Sequence, residues 1–230
     1  MREQPKITLY GPAVAPFTEK VRRALVLKGL EFELREPAGP EVYRRWSPET
    51  GLLPVAAIGD ERVHDSTAIL WRLEALFPEP SLLSSDPMLA EQQRQLEDWA
   101  DESFMWYFRR WLARHQPTAR TEVEAAYEVR ARRSLPSPLR HMFAWLRAGG
   151  TWERPETALL RGLSDRLGDL VNFLGARPFF YASQVSMADL AVYGMLFVMR
   201  LDSIPGAARL LLERPTLLDF MRRVEEATGG

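Results

Sequence analysis

The chain of 230 residues contains no cysteine. That absence excludes disulfides, thiolate metal sites and any cysteine nucleophile belonging to the protein itself. Lysine is scarce as well: Lys6, Lys20 and Lys28 stand alone, and arginine carries the rest of the positive charge. The three histidines, His64, His115 and His141, lie far apart with no metal-ligand spacing, so no metal site is expected. No apolar run approaches the ~20 residues of a membrane span. The first residues lead straight into a strand without a signal-peptide pattern. A net charge of −1 and a pI near 6.4 leave no electrostatic footprint for nucleic acid or a membrane surface.

What is present centres on residues 52–70. Val55 to Ile58 is a short apolar run, Gly59-Asp60 a turn and Arg62 to His64 a second strand, so the segment reads as a hairpin. Asp65 or Ser66 then caps a helix carrying Ala68, Ile69, Leu73 and Leu76 on one face and ending at Phe77-Pro78. Pro54 stands where a strand begins and its missing N–H costs little. A proline at this corner leaves neighbouring backbone groups free to pair with an extended ligand. A serine opening a helix offers a hydroxyl and unpaired N–H groups to a carboxylate.

The remaining chain divides in two. Ile7 to Tyr10 reads as a strand, Pro16 to Leu30 as an amphipathic helix ended by Gly29, Glu31 to Arg35 as a strand and Glu41 to Trp46 as a short helix. With the hairpin and its helix, the order is strand–helix–strand–helix–strand–strand–helix up to about Pro80. Residues 81–87 read as a linker. Beyond them the chain is all helical, with helices expected at 89–115, 121–133, 139–146, 155–174, 187–201 and 215–227. The 187–201 helix is apolar all round, as a buried central helix is. Ser186-Met187-Ala188-Asp189 before it fits a capping box.

This succession resembles the cytosolic glutathione transferases: an α/β thioredoxin-like domain (residues 1–80), a linker (81–87) and an all-α helical domain (88–230). The resemblance implies a cytoplasmic homodimer that takes glutathione as a co-substrate without a further cofactor, and that has no nucleic-acid or membrane partner. It implies a cis Pro54, a cysteinyl unit pairing with the backbone of Val55 in a glutathione site that also includes Leu53 and Pro54, and a γ-glutamyl end held by Asp65 and Ser66. The implied reaction is conjugation of glutathione to a small apolar electrophile. A transferase-like binding or scaffold protein without chemistry is the alternative, and whether the chain is an enzyme stays open at this point.

Two departures from the family pattern bear on that choice. A serine, tyrosine or cysteine normally lies beside the glutathione sulfur, yet Ala15-Pro16-Phe17 puts alanine there, and Val14 is apolar too. Tyr10, at the strand end, and Thr18, in the first helical turn, are the hydroxyls left as candidate thiolate donors, although each also reads as an ordinary core or first-turn residue. Leu52 stands where many members carry a lysine for the glycyl carboxylate. Arg44 or Arg45 is the substitute candidate, unless both are plain surface arginines. Trp46 lines the same pocket or packs its helix onto the sheet. On the long helix, Trp106, Tyr107 and Trp111 are the candidates for the electrophile pocket, with one or two expected at the cleft and the rest in the core.

Overall fold

The computed structural model describes residues 4–115, 156–202 and 204–229. The expected helices at 121–133 and 139–146 lie outside these residues, as does His141. The first unit contains β1 (Ile7–Tyr10), α1 (Pro16–Leu27), β2 (Glu33–Arg35), α2 (Pro40–Trp46), β3 (Val55–Ile58), β4 (Glu61–His64) and α3 (Ser66–Leu76). The strands form one sheet in the order β2-β1-β3-β4, with β1 and β2 parallel and the other two pairs antiparallel.

Side chains alternate across a strand, and the register assigns them. Ile7 faces Ile58 and Leu9 faces Ala56, and these four join Val21, Ala24 and Leu25 of α1 and Ile69, Leu70 and Leu73 of α3 in the core. Thr8 and Tyr10 point to the other face, together with Val55, Arg62 and His64. There α2 contributes Trp46, whose ring centroid lies 4.9 Å from that of Tyr10.

α1 stops at Leu27, three residues earlier than the periodicity suggests. Gly29 takes a φ of 65°, and the N–H groups of Gly29 and Leu30 donate to the carbonyls of Val26 and Leu25. Those two bonds satisfy the last free carbonyls of the helix and turn the chain away. β2 is likewise shorter than read, three residues from Glu33.

The helical unit holds α4 (Pro87–His115), α5 (Glu156–Leu174), α6 (Met187–Arg200), α7 (Ala207–Leu212) and α8 (Pro215–Ala227) among the described residues. α7 is an addition to the sequence reading: six residues are too few for a periodic pattern to stand out. α6 is central and packs against both α1 and α4. Its start is fixed by Asp189, which accepts from the N–H groups of Ser186 and Phe180 at 2.8 Å each and from the Ser186 hydroxyl at 2.6 Å.

A buried charge network ties α1 to α6 and α8. Glu19 accepts from Arg22 and Arg23, and Arg23 also reaches the Tyr193 hydroxyl at 3.0 Å and Thr228 at 2.8 Å. Burial alone raises the Glu19 pKa, but the hydrogen bonds and charges of the two arginines outweigh it and hold the carboxyl below its ordinary value. The linker is anchored as well. The Lys28 ammonium donates to the carbonyls of Phe77 and Pro80 and to Glu74, and the Met187 N–H donates to the Leu82 carbonyl.

Candidate functional site

Three chain segments meet at the end of the sheet where Tyr10, Val55 and His64 stand in register: the loop into α1, the corner before β3 and the start of α3. Ala15 is the N-cap of α1 and Pro16 its first residue, and no side chain caps the helix. Val14, beside them, is 62% exposed. The first turn of a helix carries N–H groups without intrahelical partners; the loop before it carries alanine, valine and proline, and the Glu36 carboxylate accepts from the Ala13 N–H at 2.9 Å.

Neither hydroxyl expected at this place is there. Tyr10 is buried on the α2 face of the sheet, its ring tilted 55° against that of Trp46 and flanked by the guanidinium groups of Arg62 at 5.5 Å and Arg35 at 6.0 Å from its centroid. α1 packs on the opposite face, so strand alternation turns the phenol away from the helix. Thr18 is fully buried, and a methyl group on Gly11 would overlap its hydroxyl oxygen. That oxygen has no hydrogen-bond partner among the described residues. Thr18 packs beneath the strand-to-helix loop, against Gly11.

At the second segment the Leu53–Pro54 peptide is cis, and Pro54 and Val55 are buried. Val55 pairs with Tyr10 on one side and His64 on the other, which engages it in the sheet. Leu53 precedes the ladder, and among the described residues its backbone groups make no hydrogen bond. The backbone available to an extended ligand is therefore that of Leu53, not of Val55. Thr50 holds the loop by accepting from the Leu52 N–H at 3.1 Å and sharing a 2.8 Å bond with Ser47. The Arg44 stem lies against Gly51, so its exposed guanidinium sits beside this loop, and Arg45 has no such contact.

Asp65, not Ser66, caps α3. Its carboxylate accepts from the N–H groups of Thr67 at 2.9 Å and Ala68 at 3.3 Å. Asp65 holds a φ of 80°, a left-handed conformation that costs a non-glycine residue ~1–3 kcal/mol and persists only where the surroundings enforce it. Ser66 is 2% exposed, and its hydroxyl has no partner among the described residues.

Beneath this turn lies a cluster that the sequence reading missed. Lys20 of α1 is fully buried and pairs with Glu97 and, at 3.0 Å, with Asp101, both on α4. Its ammonium also reaches the Thr67 hydroxyl oxygen at 3.2 Å, and that hydroxyl donates to Glu97 at 2.5 Å. Burial lowers the Lys20 pKa, but the charges of Asp101 and Glu97 overcome it and leave the ammonium above its ordinary value. One signal was available in the sequence: Glu97 and Asp101 are four apart on a helix and so share a face.

Of the aromatic trio on α4, Tyr107 is in the core, its hydroxyl packed against Gly162 of α5, where a methyl group would approach it to 3.0 Å. Trp106 is half-buried with its ring edge-on to Tyr107 at 4.8 Å. The Trp111 side chain lies outside the described residues. Among those residues no group of three metal-ligating side chains comes together, and no helix is long and apolar enough to cross a membrane.

Residues 9–81 match the family model of the glutathione S-transferase N-terminal domain. Over 89 residues the chain is 35% identical to glutathione S-transferase Z2 of Arabidopsis thaliana, an alignment covering 36% of this chain and 40% of that relative. It is 31% identical over 141 residues to the probable glutathione S-transferase BZ2 of Zea mays, covering 54% and 57% of the two chains. The chain thus spans 40% of the length of the first relative and just over half of the second. The fold follows a rice glutathione S-transferase solved in complex with glutathione, with a TM-score of 0.67 at 22% identity over 98% of this chain and 90% of that one. Thioredoxin-like sheet, cis-proline corner and acid-serine helix start agree with the match to a glutathione S-transferase N-terminal domain over residues 9–81, and the whole chain has the fold of the solved glutathione S-transferases.

Proposed function

We propose that this protein binds glutathione at the end of the sheet where Tyr10, Val55 and His64 stand in register and conjugates it, through its sulfur, to a small apolar electrophile. The observation that carries the reading is the Ser66 hydroxyl, buried and unpartnered among the described residues at the start of α3. A buried hydroxyl in that state needs an explanation, and at the first residue of α3, beside the cis-proline corner, a ligand carboxylate supplies one. The γ-glutamyl carboxylate accepts from it and from the Ser66 N–H, while Asp65, alongside, keeps the N–H groups of Thr67 and Ala68. The cysteinyl backbone pairs with Leu53, which directs the sulfur to the start of α1.

A free thiol ionises near ~8.5. The α1 dipole contributes ~0.3–1 kcal/mol and up to ~2 in a partly buried site, at most ~1.5 pKa units. With no side-chain hydroxyl at that place, the bound thiol ionises only partly at neutral pH. The thiolate then attacks the electrophilic carbon, a carbon–sulfur bond forms, and the displaced group departs with its electron pair. Trp106 lines the apolar side. The same reading extends to a cytoplasmic homodimer, which light scattering on purified protein checks.

The turned-away Tyr10 and Thr18 favour a second reading, a glutathione-binding protein that performs no transfer. Thermal unfolding with glutathione separates both readings from a third outcome. Ligand at ~100 times its dissociation constant stabilises by ~2.7 kcal/mol, a rise of roughly 5–11 °C at this size, which Ser66→Ala should diminish. No shift rejects glutathione as the ligand. A shift without the ultraviolet band of a bound thiolate, and without conjugation of aryl halides, selects the binding protein.

A further inference from the structure

The buried cluster under α3 has a consequence for the turn above it. Asp65 adopts a costly left-handed conformation, and its carboxylate is held by the N–H groups of Thr67 and Ala68. Thr67 is in turn fixed from below: its oxygen accepts from Lys20 of α1 and its hydroxyl donates to Glu97 of α4. Lys20 also pairs with Asp101, so a single ammonium joins three helices. Charges buried this completely keep one arrangement, because separating any pair strands a charge in a dry interior. The side chain of Thr67 therefore has one place to be, and its N–H stays aimed at Asp65.

We infer that Lys20 and Thr67 are positioning residues: the Lys20–Glu97–Asp101 cluster holds the Asp65–Ser66 turn in its ligand-ready shape through the Thr67 hydroxyl. α4 thereby controls a binding element that belongs to the thioredoxin-like unit. The consequence for glutathione rests on the function proposed above; the consequence for the turn does not.

Replacing Lys20 strands two carboxylates and endangers folding, so the discriminating variant is Thr67→Val. It keeps the shape of the side chain and leaves the pairs of Lys20 with Glu97 and Asp101 intact. Amide hydrogen exchange at positions 67 and 68 of the ligand-free protein should accelerate at least ~10-fold, since those N–H groups lose a fixed acceptor, while amides of α8 keep their parent rates. Glutathione affinity should fall ~10-fold, equivalent to ~1.4 kcal/mol, with the KM for glutathione raised and kcat at saturation retained. Thr67→Ser restores the hydroxyl and should recover both exchange and affinity. Parent exchange rates in Thr67→Val overturn the inference. So does faster exchange with unchanged glutathione affinity, because the turn would then be held without serving the ligand. If the parent protein fails to bind glutathione, the proposed function falls, and the exchange experiment still decides whether the cluster holds the turn.

Discussion

Gly194 on α6 lies directly against the backbone carbonyl of Pro16, the first residue of α1. A methyl group at position 194 would overlap that oxygen, and the Lys20 stem lies close by at 3.6 Å. Backbone meets backbone here, so the central helix of the helical unit sets where α1 begins. Glycine in mid-helix costs ~1 kcal/mol relative to alanine, a loss this close approach accounts for.

Gly194→Ala tests the contact. Overpacking against a backbone oxygen, at the upper end of ~1–3 kcal/mol, less the ~1 kcal/mol gain in helix propensity, leaves ~1–2 kcal/mol and should lower the melting temperature by roughly 2–8 °C. Glutathione binding should weaken as well, because the start of α1 must move. A melting temperature equal to or above that of the parent would show that α1 and α6 separate without cost.

Arg44 and Arg45 are adjacent in sequence and differ in place. Only Arg44 packs on Gly51, in the loop that leads to the cis Leu53–Pro54 peptide. Arg44→Ala should raise the glutathione dissociation constant about 3- to 10-fold, most strongly at low salt, since an exposed ion pair is screened. Arg45→Ala should leave it within about twofold, in the range of an exposed surface charge. Calorimetry at two ionic strengths measures both. Equal effects would remove Arg44 from the glycyl end of the site.

Ala15 is the extended N-cap of α1 with no side chain to cap it. Ala15→Cys puts a thiol among the free N–H groups of the first turn, where its pKa should drop below ~8.5. It should attack glutathione disulfide, forming a protein–glutathione disulfide and releasing glutathione thiolate. The parent has no cysteine, so intact mass reads the reaction directly. Ala75→Cys on exposed α3 surface is the control. Equal rates would mean that position 15 does not face the sulfur.

Asp189 gives stability a pH dependence of defined sign. Burial pushes its pKa from the ordinary 3.8 up to about 7, against the hydrogen bonds from Ser186 and the Phe180 N–H. The folded protein therefore holds this proton more tightly than the unfolded chain. The contribution is full at pH values below 3.8, fades as pH rises, and is lost above about 7. Asp189→Asn should destabilise by ~1–3 kcal/mol through its mismatched hydrogen bonds. The gap in melting temperature between parent and variant should narrow from pH 4.5 to pH 7.5 (about the span between the two pKa values). A gap that stays constant would mean that the carboxyl is ionised throughout.

The sequence by itself determined the order of the elements and the corners between them. Period-2 alternation, apolar stripes of helical spacing, and punctuation at Gly29, Pro54 and Gly59 are local signals, each written within a few residues. The capping pair Ser186 and Asp189 and the acid-serine start of α3 were legible for the same reason, since a cap is made three or four residues from its partner. The tertiary structure decided which face each residue took. Tyr10 could not be assigned to the α2 side before the sheet register was known, nor Thr18 to a place beneath Gly11 before the loop had closed over it. Val55 yielded to Leu53 because only the ladder shows which backbone groups are engaged. The Lys20 cluster was hidden most completely: its acceptors stand 47, 77 and 81 residues along the chain. A buried charge finds its partners by packing, and no local pattern encodes a contact made across three helices.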